Sequence, residues 1–174
     1  MTIRAQTTFE EPVDVLNYAL TLEHLEYSFY RDGLEQFAEE DFVDAGYAAV
    51  VHEYFGAIRD HELEHVETLT TVITDLGGEP VEEAEYDFGY TDIAGFIGVA
   101  QALENTGVSA YQGAAQFLID EDALLTAALT IHGVEARHAA YLNGLNGASP
   151  FPDAVNPTLT PDEVLAIAGP FIVS

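Results

Sequence analysis

Two Glu-x-x-His pairs, Glu62/His65 and Glu135/His138, each follow an isolated upstream glutamate, Glu23 and Glu104. Glutamate and histidine at i and i+3 share one helix face, so each pair can aim a carboxylate and an imidazole at a common point. Four carboxylates and two imidazoles gathered in one interior form a ligand set for two divalent cations. Oxygen-rich ligation suits hard, redox-active ions, and imidazole tolerates both iron and manganese. With 19 Glu and six His in 174 residues, chance supplies about 0.7 Glu-x-x-His pairs, so a single pair would carry little weight. Two pairs, each preceded by its own glutamate and each in register with a helix core, carry much more.

That register follows from counting. A helix packed in a bundle repeats its core positions in steps of four and three. The first segment runs Leu16, Leu20, Glu23, Tyr27, Tyr30, Leu34, Phe37, and the second Val51, Phe55, Ile58, Glu62, His65, Leu69, Val72, Leu76. The third runs Ile93, Ile97, Ala100, Glu104, Gly107, Tyr111, Ala114, Leu118, and the fourth Leu124, Ala128, Ile131, Glu135, His138, Leu142, Leu145. All six candidate ligands occupy positions where apolar residues belong. Burying a carboxylate costs several kcal/mol even after relaxation. The only basic side chains apart from histidine are Arg4, Arg31, Arg59 and Arg137, none of them on a seam. Two divalent cations would supply the missing positive charge.

An internal repeat supports a paired site. An offset of 81 lays Leu22-Glu23 on Leu103-Glu104 and Tyr30 on Tyr111, while the Glu-x-x-His pairs are offset by 73 because the first half carries extra residues around Ala38 to Tyr47. The chain reads as a duplicated two-helix hairpin.

Breakers place the elements. The first helix is expected over about 12–37 and the second over about 47–76, stopped by Gly77-Gly78. The acidic, aperiodic stretch up to Thr91 reads as a crossover. About fifteen residues at ~3.3 Å each can span the length of a bundle, so the second and third helices can run parallel. The third helix ends near Leu118, Asp120 is a candidate cap for the fourth, and Thr160-Pro161-Asp162-Glu163 starts a short helix ending at Gly169. The expected fold is therefore all-α: a four-helix bundle of two hairpins joined by a long crossover, plus a short C-terminal helix. It forms one domain over 1–174, with the bundle over about 12–146 and the tail over 147–174.

Composition sets the remaining bounds. A net charge of −27 without a single lysine makes a protein repel itself in dilute buffer, whereas molar salt shrinks the screening length to ~3 Å. The expectation is the salt-rich cytoplasm of a halophile, with Glu39, Glu40, Asp41, Glu82, Glu83 and Glu85 as solvated surface. No basic patch can form for nucleic acid. No apolar run approaches the ~20 residues of a membrane span, and the N-terminus lacks a signal-peptide core. With no cysteine, disulfides, zinc ribbons, rubredoxin-type iron and cysteine-held iron–sulfur clusters are excluded.

The order glutamate, Glu-x-x-His, glutamate, Glu-x-x-His over residues 12–146 resembles the ferritin-like superfamily, in which these six positions hold two metal ions inside a four-helix bundle. Tyr30 and Tyr111, each seven residues after a ligand glutamate, are similar to tyrosines of bacterioferritin-like members, where the phenol hydrogen-bonds a metal-bound carboxylate. The segments Phe29 to Leu34, Asn156 to Pro161 and Ala168 to Ile172 look like the desiccation-related branch of the superfamily. The resemblance implies two divalent ions, iron or manganese, and chemistry on O₂ or peroxide. The short, proline-punctuated tail departs from the fifth helix of mineral-storing ferritins.

Two functions follow from different classes: a di-metal oxidoreductase acting on O₂ or peroxide, as a ferroxidase or a catalase-like enzyme, and a metal-binding protein that protects against desiccation or stress without turnover. A homo-oligomer, expected as a dimer, accompanies either. His24, His52, His61 and His132 lie off the seam and read as surface or boundary residues, with His132 near enough to watch. Tyr27 reads as core packing; Glu26 and Glu64 neighbour the ligands and are candidates for a further carboxylate, with a solvated helix face as the favoured reading.

Overall fold

The computed structural model describes residues 9–173, so Arg4 and the N-terminal stretch considered for a leader lie outside the described residues. Helix α1 (Pro12–Gln36) begins with proline in its first turn and a capping box between Glu11 and Asp14. A short α2 (Glu39–Asp44) follows, then α3 (Val50–Asp75), α4 (Ile93–Ala114) with a 3₁₀ turn over Ala115–Leu118, α5 (Asp122–Leu145) and α6 (Pro161–Ala168). The extra residues of the first hairpin therefore form a helix of their own and not merely an insertion. Its Phe42 is fully buried against Phe55 and Phe96. Burial of a single ring holds a helix too short to show a period.

Packing defines a bundle of two antiparallel hairpins. Leu16 and Leu20 near the start of α1 meet Leu69 and Ile73 near the end of α3, so α1 and α3 form an antiparallel hairpin. The end of α4 likewise meets the start of α5, through Ala114, Leu118, Leu124 and Leu125. Phe55 of α3 and Phe96 of α4 approach to 5.2 Å between ring centroids, which places the beginnings of those helices at the same end. The 76–92 segment crosses the bundle as its length predicts. It is pinned along the way: Asn17 clasps the Glu79 carbonyl and the Val81 amide, Glu83 accepts from Ser28 and Arg31, and Tyr86 makes an antiparallel bridge with Ile172. Glu83 thus fastens the crossover, although it lies at the surface.

Two local expectations fail. Leu76 is half exposed and Ile73 is fully buried in its place, because α3 ends at Asp75 and Leu76 is its C-cap, where the helical period no longer sets the side chain's direction. Asp120 does not cap α5: Glu121 holds the N-cap position and makes no side-chain hydrogen bond there. Thr160 with Glu163 caps α6 as its sequence suggests, and at the start of α4 the Asp92 side chain accepts from the Gly95 amide. Close approach of α1 to α4 depends on Gly33, where a Cβ would lie 2.2 Å from the Phe96 ring. Among the described residues no helix is long and apolar enough to cross a membrane.

Candidate metal centre

The period that defines the helix seams also decides what faces the bundle axis, so the six polar side chains are carried inward with their apolar neighbours. Glu23, Glu62, Glu104 and Glu135 are completely buried, and His65 and His138 are nearly so. Ligand atoms of Glu23, Glu62, His65 and Glu135 lie within 4.8 Å of one another, as do those of Glu62, Glu104, Glu135 and His138. Glu62 and Glu135 belong to both groups. All six residues singled out in the sequence thus come together.

The tyrosines cross between the two halves. Tyr30 of α1 donates to Glu104 Oε1 of α4 at 2.6 Å, and Tyr111 of α4 donates to Glu23 Oε1 of α1. Each phenol occupies one oxygen of its carboxylate and leaves the other facing an imidazole: Glu23 Oε2 lies 3.1 Å from His65 Nδ1, and Glu104 Oε2 lies 3.3 Å from His138 Nδ1. Burial, followed by the adjoining carboxylates, drives both phenols well above their ordinary range, so they remain neutral donors.

Four carboxylates in one cavity cannot all stay charged without compensation. Burial pushes Glu62 up to about 7, partly offset by His138 and His65, and it raises Glu135 strongly, with Glu62 and Glu104 adding to the effect. Burial alone would lower the two imidazoles. The carboxylates beside them win, taking His65 up to about 10 and His138 up to about 9. Without a metal, protons do the work of the cation. The arginine ion pairs go elsewhere, to Asp32, Glu83 and Asp60. Glu62 Oε1, Glu104 Oε2, both oxygens of Glu135 and His138 Nδ1 have no hydrogen-bond partner. His138 Nδ1 lies 3.0 Å from Glu62 Oε1 without hydrogen-bond alignment, as expected of atoms aimed at a shared centre. Orphaned donors of these chemical types fit divalent metal.

Two residues differ from the favoured expectation. Glu26 does not lie on a solvated face: it is only 3 % exposed; burial, then Glu104, Glu23 and Glu62, holds its carboxyl well above the usual range. His61, read as a surface residue, is exposed, yet its ring stacks on His138 at 5.2 Å and its Nδ1 lies 2.9 Å from His138 Nε2. The contact fixes the outer nitrogen of that imidazole while the inner one faces the carboxylates. Placement one residue before Glu62 on the same helix was the available signal for His61. Glu64 is exposed, His24 meets the Val81 carbonyl, His52 lies edge-on to Phe42, and Tyr27 packs half-buried beneath Arg31. His132 is half-buried and is lowered by that burial.

Apolar walls close the centre. On one side stand Phe29, Phe55 and Phe96 around Tyr30. On the other, a cavity of about 30 Å³ lies between Leu16, Ala19, Leu69, Tyr111 and Ile131.

A four-helix bundle with a long crossover and a central Glu/His cluster contributed by every long helix defines a ferritin-like protein. Residues 11–148 match the ferritin-like domain family, and the chain belongs to it. It is also similar to Protein rds1 of the fission yeast Schizosaccharomyces pombe, with 28 % identity over 160 residues. That match covers 91 % of this chain and 38 % of the yeast protein, so the chain spans well under half of its relative's length.

Proposed function

We propose that Glu23, Glu62, His65, Glu104, Glu135 and His138 hold two divalent ions, iron or manganese, and that the protein is an oxidoreductase acting on O₂ or peroxide. The observation that carries this reading is the pair of four-residue ligand groups sharing Glu62 and Glu135. A shared pair of carboxylates is what two adjacent ions require, with Glu23 and His65 at one end and Glu104 and His138 at the other. Bound as a pair, such ions supply the two electrons that an O–O bond accepts.

The protein's own groups prepare the site. Tyr30 and Tyr111 each hold one oxygen of a terminal carboxylate and so turn the other toward the centre. His61 orients His138 from outside. The aromatic wall limits water, which strengthens every charge interaction within. The cavity beside Tyr111, about 30 Å³, is apolar and of a size for a diatomic gas, since one water needs ~10–15 Å³ by the same measure. That favours O₂ or another very small substrate over a bulky organic one. The charge of −27 and the lack of lysine support operation in a salt-rich cytosol.

The test compares metal-loaded wild type with Glu104→Ala and His138→Ala. Wild type is expected to hold two metals per chain and to consume O₂ or peroxide faster than free metal. The variants should lose that activity while retaining their helical content. Loaded wild type that consumes neither oxidant overturns the enzyme reading in favour of a metal-binding, protective protein.

A further inference from the structure

We propose that Glu26 is a seventh ligand of the metal pair and its fifth carboxylate, occupying space that Gly107 leaves open on the facing helix. The inference rests on the di-metal reading above. The offset of 81 that superposes Glu23 on Glu104 and Tyr30 on Tyr111 sets Glu26 opposite Gly107. The duplicated halves agree in their ligands and in their phenols, and here they differ. A Cβ at position 107 would lie 3.0 Å from Glu135 Oε2 and 3.1 Å from Glu26 Oε1. Any side chain there would crowd two carboxylates, so a bare backbone at 107 and an acid at 26 form one arrangement.

Glu26 lacks what a merely structural buried acid needs. It is 3 % exposed and its Oε2 has no hydrogen-bond partner. The charged side chains acting on it are Glu104, Glu23 and Glu62, all acidic. An uncompensated carboxylate in such a place costs several kcal/mol, and a cation in the adjoining centre would remove that cost. Behind it, a cavity of about 10 Å³ bordered by Leu22, Leu25, Leu103 and Ala168 gives the carboxylate room to shift.

Charge gives the fifth carboxylate a distinct consequence. Four glutamates balance two divalent ions; a fifth leaves the pair one negative charge in excess. Oxidation of both ions by O₂ or peroxide passes two electrons to the oxidant and adds two positive charges to the pair, which the extra carboxylate favours. Glu26 therefore binds the oxidised pair more strongly than the reduced pair and lowers its midpoint potential.

The experiment uses Glu26→Gln and Glu26→Asp, with Glu64→Gln on the exposed face of α3 as a charge control. Mn²⁺ is titrated calorimetrically, and the midpoint potential of iron-loaded protein is measured spectroelectrochemically. Wild type and Glu64→Gln should bind two metals per chain with the same affinity and potential. Glu26→Gln should still bind two, about 10- to 100-fold more weakly, with a more positive potential. Weaker binding at an unchanged potential keeps Glu26 as a ligand and overturns the charge argument. Should Glu26→Gln not fold, Glu26→Asp decides, since it keeps the charge but draws it back by one methylene; wild-type affinity and potential in that variant overturn the proposal. Two metals in wild type with an unaltered Glu26→Gln remove Glu26 alone, whereas no metal in wild type removes the di-metal reading itself.

Discussion

Removing the metal should leave a bundle that weakens as pH rises. His65 and His138 are raised from 6.5 to about 10 and about 9 by neighbouring carboxylates. A group whose folded pKa is raised contributes stability that is fully present below its unfolded value and is lost as pH climbs through the folded one. The window is therefore pH 6.5 to 10. Glu62, raised to about 7, has the same sign and loses its share earlier. One pKa unit corresponds to ~1.4 kcal/mol, so the rise of His65 is worth on the order of 3–5 kcal/mol. The three residues share the same protons, and their contributions do not add. For a chain of this length ~1 kcal/mol moves the melting temperature by roughly 2–4 °C, which predicts a fall of roughly 10 °C for the apoprotein. Metal reverses the trend, because it needs ionised carboxylates and neutral imidazoles; at ~100 times Kd it adds ~2.7 kcal/mol. The assay is calorimetric melting of chelated and loaded protein across this window in constant molar KCl. Starting at pH 6.5 avoids His61 and His132, which burial lowers and which act in the opposite sense in acid. His65→Gln should flatten the apoprotein slope. An apoprotein whose melting temperature is level or rises between pH 6.5 and 10 refutes the reasoning.

Tyr30→Phe should retain both metals and slow oxidant consumption, as read by metal analysis alongside an oxygen electrode, because Glu104 loses its 2.6 Å donor. His61→Ala should weaken metal binding by about tenfold in a calorimetric titration, since His138 loses the partner on its outer nitrogen. Gly33→Ala should destabilise the fold by ~1–3 kcal/mol in chemical denaturation, through the Cβ clash with Phe96 at 2.2 Å. Dilution from molar KCl to ~0.1 M lengthens screening to ~10 Å and should lower the melting temperature of a chain carrying −27 charges; equal melting in both buffers would refute the high-salt reading.

The ligand register was legible because helical periodicity is local: Glu62 and His65 share a face whatever packs against it, and the step of four and three from Phe55 through Ile58 carries them inward. The crossover was legible from its length, and α6 from its Thr160–Glu163 capping box. Tertiary structure alone decided which partner each group meets. Tyr30 reaches Glu104 across 74 residues and His61 reaches His138 across 77, and only the packing of α1 on α4 and of α3 on α5 sets those distances. Glu26 looked like a solvated acid because its own helix says nothing of the glycine facing it. Its burial is a property of α1 and α4 together, and Gly107 supplies the space on the opposite wall.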